Sequence, residues 1–251
     1  MIEKEKELRR DVLSAVEAYY KGVHGDIKEW KVGDRIPYAG RIFDESEMLN
    51  LAEALCDFWL TSGRFTDELE KKLSSFLGVR FCSLCNSGSS ANLLAFAALT
   101  SPQLGEKRIL PGDEVITTAC AFPTTVAPII QYGAVPVFVD VTLPTYNLDI
   151  NQLEAALSPK TKAIMAAHTL GNPFDLCAVK KFCDEKNLWL IEDNCDALGA
   201  RYQLAGDWKY TGTVGHIGTS SFYPPHHITM GEGGAVYTND LQLSRIINSF
   251  R

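Results

Sequence analysis

The sequence predicts an α/β domain with a largely parallel sheet covered by helices on both faces. Two observations carry that prediction. Short apolar runs rich in Val, Ile and Phe recur at residues 79–84, 114–118, 135–139, 162–167, 188–192, 217–223 and 234–238. Helical patterns fit 89–99, 123–131, 149–157, 175–186 and 240–250. Strand-then-helix alternation builds crossover units, whose helices cover a parallel sheet.

The elements before residue 79 are helical. Residues 3–24 form an amphipathic pattern, with Leu8, Val12, Val16 and Tyr19 at three- and four-residue spacing. A Gly- and Pro-containing connection runs from Gly25 to Gly40. A second helix fits Glu45–Leu60, and a third fits Asp67–Leu77 with Thr66 as its N-cap. The expected organisation is an N-terminal helical extension over 1–60 and a large domain over 61–251. The final helical pattern, Asp240 to Arg251, carries Leu241, Leu243, Ile246, Ile247 and Phe250. No Gly cap, Pro stop or polar tail follows it, so the helix alone fits a truncated chain as well as a complete one. A docked terminal helix is the alternative.

Composition narrows the function classes. The chain is 46% hydrophobic and 22% charged, an ordinary globular balance. Its net charge of −7, without a long basic run, argues against nucleic-acid binding. No apolar stretch of about 18 residues argues for a membrane span. Residues 1–10 are charged and offer no signal-peptide core. The seven cysteines therefore read as reduced thiols of a cytoplasmic protein.

Five segments could carry chemistry. Asn86-Ser87-Gly88-Ser89-Ser90-Ala91-Asn92 follows a strand and opens a helix. Its N–H groups form a phosphate cup, or only a capped turn. Ile191-Glu192-Asp193-Asn194-Cys195-Asp196 ends a buried strand, where ligands of open α/β sheets bind. An acid there can hold a protonated pyridine nitrogen, cap a helix or bind metal. Phe122, in Ala119–Thr125, can stack on a flat heterocycle, although a lone Phe is more often core. His168-Thr169-Leu170-Gly171-Asn172-Pro173 either lines a sugar pocket or makes a turn. Ser221-Phe222-Tyr223-Pro224-Pro225-His226-His227 leads into the Gly-rich Gly231-Glu232-Gly233-Gly234. The paired histidines make a poor metal site, since neighbours in extended chain point apart.

Taken in order, these segments resemble the DegT–StrS group of sugar aminotransferases, from about Gly63 onward. That resemblance implies the pyridoxal-phosphate (PLP) fold type I, with a mostly parallel seven-stranded sheet in the large domain and a C-terminal small domain that this truncated chain is expected to lack. It places Gly88, Ser89 and Ser221 on the cofactor phosphate, Phe122 on the pyridine ring and Asp193 at the ring nitrogen. His226 stands where the family's cofactor-binding lysine stands. A lysine tethers PLP covalently. A histidine cannot, but it moves protons near neutral pH. Asp196 departs from the Gln or His that the family often carries there.

The His-for-Lys exchange is similar to the 3-dehydrases of deoxysugar biosynthesis, most of all to the type acting on CDP-4-keto-6-deoxyglucose. The resemblance implies pyridoxamine phosphate (PMP) as cofactor and His226 as the base. It implies a nucleotide-linked 4-keto-6-deoxyhexose as substrate and loss of its C3 hydroxyl. It also implies a homodimer, an iron–sulfur flavoprotein reductase as partner and a [2Fe–2S] cluster. Cys195 would be the first cluster ligand, with the others beyond residue 251. Three readings compete: a GDP-sugar 3-dehydratase without a cluster, a PLP-dependent aminotransferase, and a non-catalytic nucleotide-sugar-binding homologue. The aminotransferase needs a lysine near 226, and the nearest after Asp193 is Lys209.

Overall fold

The computed structural model describes residues 2–25, 29–36, 40 and 42–251. The chain divides into two compact units, Met1–Leu69 and Glu70–Arg251.

The first unit contains helices α1 (Glu3–Val23) and α2 (Glu45–Asp57) and the start of α3 (Arg64–Leu77). Asp44 opens α2 with a capping box. Its side chain accepts from Ser46 N–H at 2.7 Å, and Glu47 accepts from the Asp44 N–H at 2.7 Å. Phe58 turns into the left-handed region at φ 46° and stops α2 short of the expected Leu60. Helix α3 starts earlier than expected, so Thr66 lies inside its first turn and is not its N-cap. Arg9 pairs with Glu53 and Asp57, and Arg64 pairs with the same two acids. Part of the connection expected over Gly25–Gly40, residues 26–28 and 37–39, lies outside the described residues.

The second unit is built on a seven-stranded sheet. In chain order its elements are β1 (Phe81–Cys85), α4 (Gly88–Leu99), β2 (Glu114–Thr118), α5 (Pro123–Gln131), β3 (Val135–Val139), the short pair β4 (Val141–Thr142) and β5 (Asn147–Leu148), α6 (Leu153–Ala156) and β6 (Thr161–Ala167). Then come α7 (Leu176–Lys186), β7 (Trp189–Asp193), the pair β8 (Arg201–Leu204) and β9 (Asp207–Tyr210), β10 (Ile217–Ser221), β11 (Gly234–Thr238) and α8 (Leu241–Phe250). The sheet order is β1-β11-β10-β7-β6-β2-β3. Strand β11 is antiparallel to both neighbours, and every other pairing is parallel.

Both faces of the sheet are covered, as the apolar runs require. Met165 and Ile191 point into one core with Leu94 and Phe96 of α4 and Leu243, Ile246 and Ile247 of α8. Ile164, Ala166 and Leu190 point into the other, against Val179, Phe182 and Cys183 of α7. The one-residue alternation between cores is the period-two signature of a strand. Each fully buried aliphatic side chain of this kind contributes about 1.5–3 kcal/mol.

Two differences from the sequence reading have local causes. The helix expected at 149–157 is a capped 3₁₀ turn, Ile150–Gln152, followed by the four-residue α6. The hairpin β8–β9 was not expected from the sequence. Its two turn residues, Ala205 and Gly206, both have positive φ (50° and 93°), as a tight hairpin turn demands. Ala-Gly is a poor signal for that turn.

His216 ties β7 to the segment before β10. Its Nδ1 accepts the Leu190 N–H at 2.9 Å, and Trp189 meets its ring edge-on. Burial lowers its pKa below the usual 6.5, helped by the charge of Lys180. The unfolded chain therefore binds a proton at a pH where the folded ring refuses it. This group's stability is complete above about pH 6.5 and declines as pH falls from there. His216→Asn keeps an acceptor for Leu190 and should flatten the decline. Urea midpoints at pH 7.5 and 5.5 check this; an unchanged difference between the two would refute it.

Candidate active site

Five parallel strands end on one edge of the sheet, and each delivers residues to one pocket of about 380 Å³. Strand β1 leads to Ser87, Gly88 and Ser89, and β2 leads to Ala121, Phe122 and Thr124. Strand β6 leads to Thr169. Strand β7 ends in Asp193 and continues to Cys195 and Asp196. Strand β10 ends in Ser221 and continues to Tyr223 and His226, and Glu232 enters just before β11. The volume suits a small-molecule ligand.

The anion end is the start of α4. Ser87 caps it by accepting from Ser90 N–H at 3.0 Å. The first N–H groups of a helix, here Gly88 and Ser89, have no partner within it and favour an anion. Gly88 is obligatory, because a Cβ there would run into the Ser221 side chain. Gly234 is obligatory for the same reason, since its Cβ would strike the carbonyl of Ser87. The two glycines let the cup close against the ends of β10 and β11.

Asp193 is buried beneath the pocket. Its Oδ2 accepts from Asn92 Nδ2 and Thr125 Oγ1, each at 2.7 Å, and its Oδ1 accepts from Cys195 N–H at 3.2 Å. Three donors thus converge on this carboxylate. Glu192, one residue earlier, serves the opposite face. It takes N–H groups of Gly212, Val214 and Gly215 and the ring of His168, whose Nε2 lies at 2.9 Å. His168 Nδ1 faces the Phe174 N–H, which leaves the proton on Nε2. Of the two adjacent acids, Glu192 and Asp193, Asp193 is the one that lines the pocket.

Phe122 is 69% exposed and forms part of the pocket wall, so it is not a core residue. His226 is partly buried; its Nδ1 lies 3.5 Å from Asp196 Oδ1, and Tyr223 meets its ring edge-on. All of the sequence-predicted residues, Gly88, Ser89, Phe122, Asp193, Cys195, Ser221 and His226, line this pocket. Asn92, Thr125 and Tyr223 also belong here, without having been singled out. The one available signal was Asn92, a polar residue in the otherwise apolar interior of α4.

A phosphate-bearing pyridine fits the residues present: the glycine cradle, the exposed ring and the buried carboxylate are its complements. For the expected [2Fe–2S] cluster, Cys195 is the ligand named in this chain, and it lines the pocket. Among the described residues no group of three or more His, Cys, Asp and Glu could hold a metal ion. Burial, then the charge of Asp193, pushes the Cys195 thiol well above its usual range.

Residues 41–251 match the model of the DegT/DnrJ/EryC1/StrS aminotransferase family. The chain is 54% identical over 243 residues to the lipopolysaccharide biosynthesis protein RfbH of Salmonella typhimurium, covering 96% of this chain and 55% of that one. It is 50% identical over 213 residues to the dTDP-4-dehydro-2,6-dideoxy-D-glucose 3-dehydratase of Saccharopolyspora spinosa, covering 85% and 45% respectively. A solved structure of Escherichia coli GDP-4-keto-6-deoxy-D-mannose-3-dehydratase with bound hydrated PLP superposes with a TM-score of 0.78 at 33% identity. That match covers 85% of this chain and 54% of the other. The chain thus spans about half the length of the curated relatives it matches.

Thiol reactivity tests the burial argument. Cys120 and Cys177 are exposed, whereas burial lifts Cys82 and Cys183 to about 12. Iodoacetamide at pH 8 should label Cys120 and Cys177 first and leave Cys82, Cys183 and Cys195 largely unmodified in the native protein. Peptide mass spectrometry reads the order; early labelling of Cys195 would contradict its raised pKa.

Proposed function

The chain belongs to the DegT/DnrJ/EryC1/StrS aminotransferase family, and on that premise we propose that it forms the cofactor-binding part of a PMP-dependent sugar 3-dehydrase. The reaction removes the C3 hydroxyl of a nucleotide-linked 4-keto-6-deoxyhexose. One observation carries the reading. His226, and no lysine, lines the pocket that also holds Gly88, Phe122 and Asp193 among the described residues.

PMP supplies a free amine for the sugar ketone and a ring that accepts negative charge. The chain's residues supply the rest. The N–H groups of Gly88 and Ser89, with the hydroxyls of Ser89 and Ser221, hold the phosphate. Phe122 stacks on the ring and excludes water from one face. Asp193 holds the proton on the ring nitrogen. His226 takes a proton from the cofactor's C4′ methylene, the kind of step worth about 10²–10⁴ in rate. With Nδ1 turned toward Asp196, Nε2 is the nitrogen left to receive that proton. The Asp196 carboxylate then faces the charge that develops on the imidazole.

Further features of the reading rest on the resemblance. The nucleotide is taken as CDP, the protein as a cytoplasmic homodimer, and an iron–sulfur flavoprotein reductase as its partner. No step is assigned to a [2Fe–2S] cluster, because Cys195 stands without companion ligands among the described residues.

Two variants of the whole protein test the role of His226. His226→Asn should bind PMP and lose at least 100-fold of C3 dehydration, the lower end of a general base's contribution. His226→Lys with PLP should show the absorbance shift of a covalent tether. Full dehydration by His226→Asn, or an unshifted spectrum for His226→Lys, would sink the assignment.

A further inference from the structure

Asp193 has two oxygens in different situations. Oδ2 is filled by two donors at 2.7 Å, Asn92 Nδ2 and Thr125 Oγ1. Oδ1 accepts the longer contact from Cys195 N–H, at 3.2 Å, and the Cys195 side chain lies against the same carboxyl. Behind Asn92 stands a third group: Thr219 Oγ1 donates to Asn92 Oδ1 at 2.7 Å. All four side chains are buried. The amide of an asparagine is nearly symmetric in shape, so its partners decide which end points where. An ionised carboxylate only accepts, so Nδ2 must face Asp193, and the Thr219 hydroxyl must donate to the amide oxygen. The relay Thr219→Asn92→Asp193 thus has a single direction.

The relay also joins two anchors. Asn92 lies on α4 one turn beyond Gly88, so the helix that carries the phosphate cup also holds the carboxylate. Thr219 lies on β10 in register with Asp193 on β7, two residues before Ser221. The hydrogen bonds therefore fix the distance between the cup and the carboxylate.

Resting on the proposed function above, we propose that Asn92 and Thr219 are positioning residues that aim Asp193 Oδ1 at the ring nitrogen of the cofactor. They touch no reacting atom. They occupy Oδ2, hold the carboxylate plane, and leave Oδ1 as the acceptor for the ring N–H.

The test compares two ligands by calorimetry on the whole protein: PMP, and its carbocyclic analogue with CH in place of the ring nitrogen. Wild type should bind PMP more tightly. Thr219→Val keeps the shape but removes the donor, and it should shrink that preference about five- to tenfold. Thr219→Ser restores the hydroxyl and should restore the preference. Should Thr219→Val fail to fold, Thr219→Cys has the shape of the serine variant with only a weak donor, and its ratio is read against Thr219→Ser. An unaltered preference in the valine or cysteine variant, or equal weakening of both ligands, overturns the proposal while leaving Asp193 at the ring nitrogen. Equal binding of the two ligands by wild type overturns both together.

Discussion

The site depends on a close approach between two stretches of backbone. The turn after β1 crosses the start of β11 so tightly that a side chain on Gly234 would strike the Ser87 carbonyl. One on Gly88 would strike Ser221. This contact sets where α4 begins, and the helix is then committed. Ala91, Ala95, Phe96, Ala98 and Leu99 are buried along its length, so it cannot rotate to relieve strain at its start. With α4 fixed, its N-terminus opens on the pocket and Asn92 reaches Asp193. Two missing side chains thus position both the anion cup and the carboxylate.

Most of the sheet was legible because burial on both faces leaves a strong pattern. Ile164, Met165 and Ala166 occupy alternate cores, and only a strand of apolar residues can satisfy both. The elements that were not legible lie where local rules are weak. Helix α3 begins at Arg64 although Thr66 looks like a cap, and the β8–β9 turn uses Ala205 in a left-handed conformation. Neither is written in a periodic pattern.

The site divides the same way. Residues that follow strand ends could be found from motif order, because the fold brings all parallel strand ends to one edge. Asn92 and Thr219 could not. Their hydrogen bonds join positions 101 and 127 residues apart, and no local spacing announces such contacts. Phe122 was ambiguous for a different reason. An aromatic side chain reads as core until the structure shows that nothing covers it. Glu192 and Asp193 were indistinguishable as acids, and only the alternation of the strand sends one to the pocket and the other to His168.

On the proposed reading, histidine in place of a tethering lysine changes what the remaining contacts must do. A covalent tether fixes a cofactor even where its other contacts are loose. Without one, the proposed orientation rests on the phosphate cup, the ring wall and the carboxylate. Misplacement of reacting groups by about 1 Å can cost 10²-fold in rate, so those contacts must be stiff. On the proposed reading, this is why the carboxylate is held by Asn92 and Thr125 and the amide in turn by Thr219. The histidine itself needs less restraint. His226 lies on the loop between β10 and β11, partly exposed and facing Asp196 at 3.5 Å. A base that moves a proton must reach its target, but it does not have to carry the cofactor. On the proposed reading, the rigid part of the site is therefore the buried network under the ring, and the chemical step is left to the loop above it.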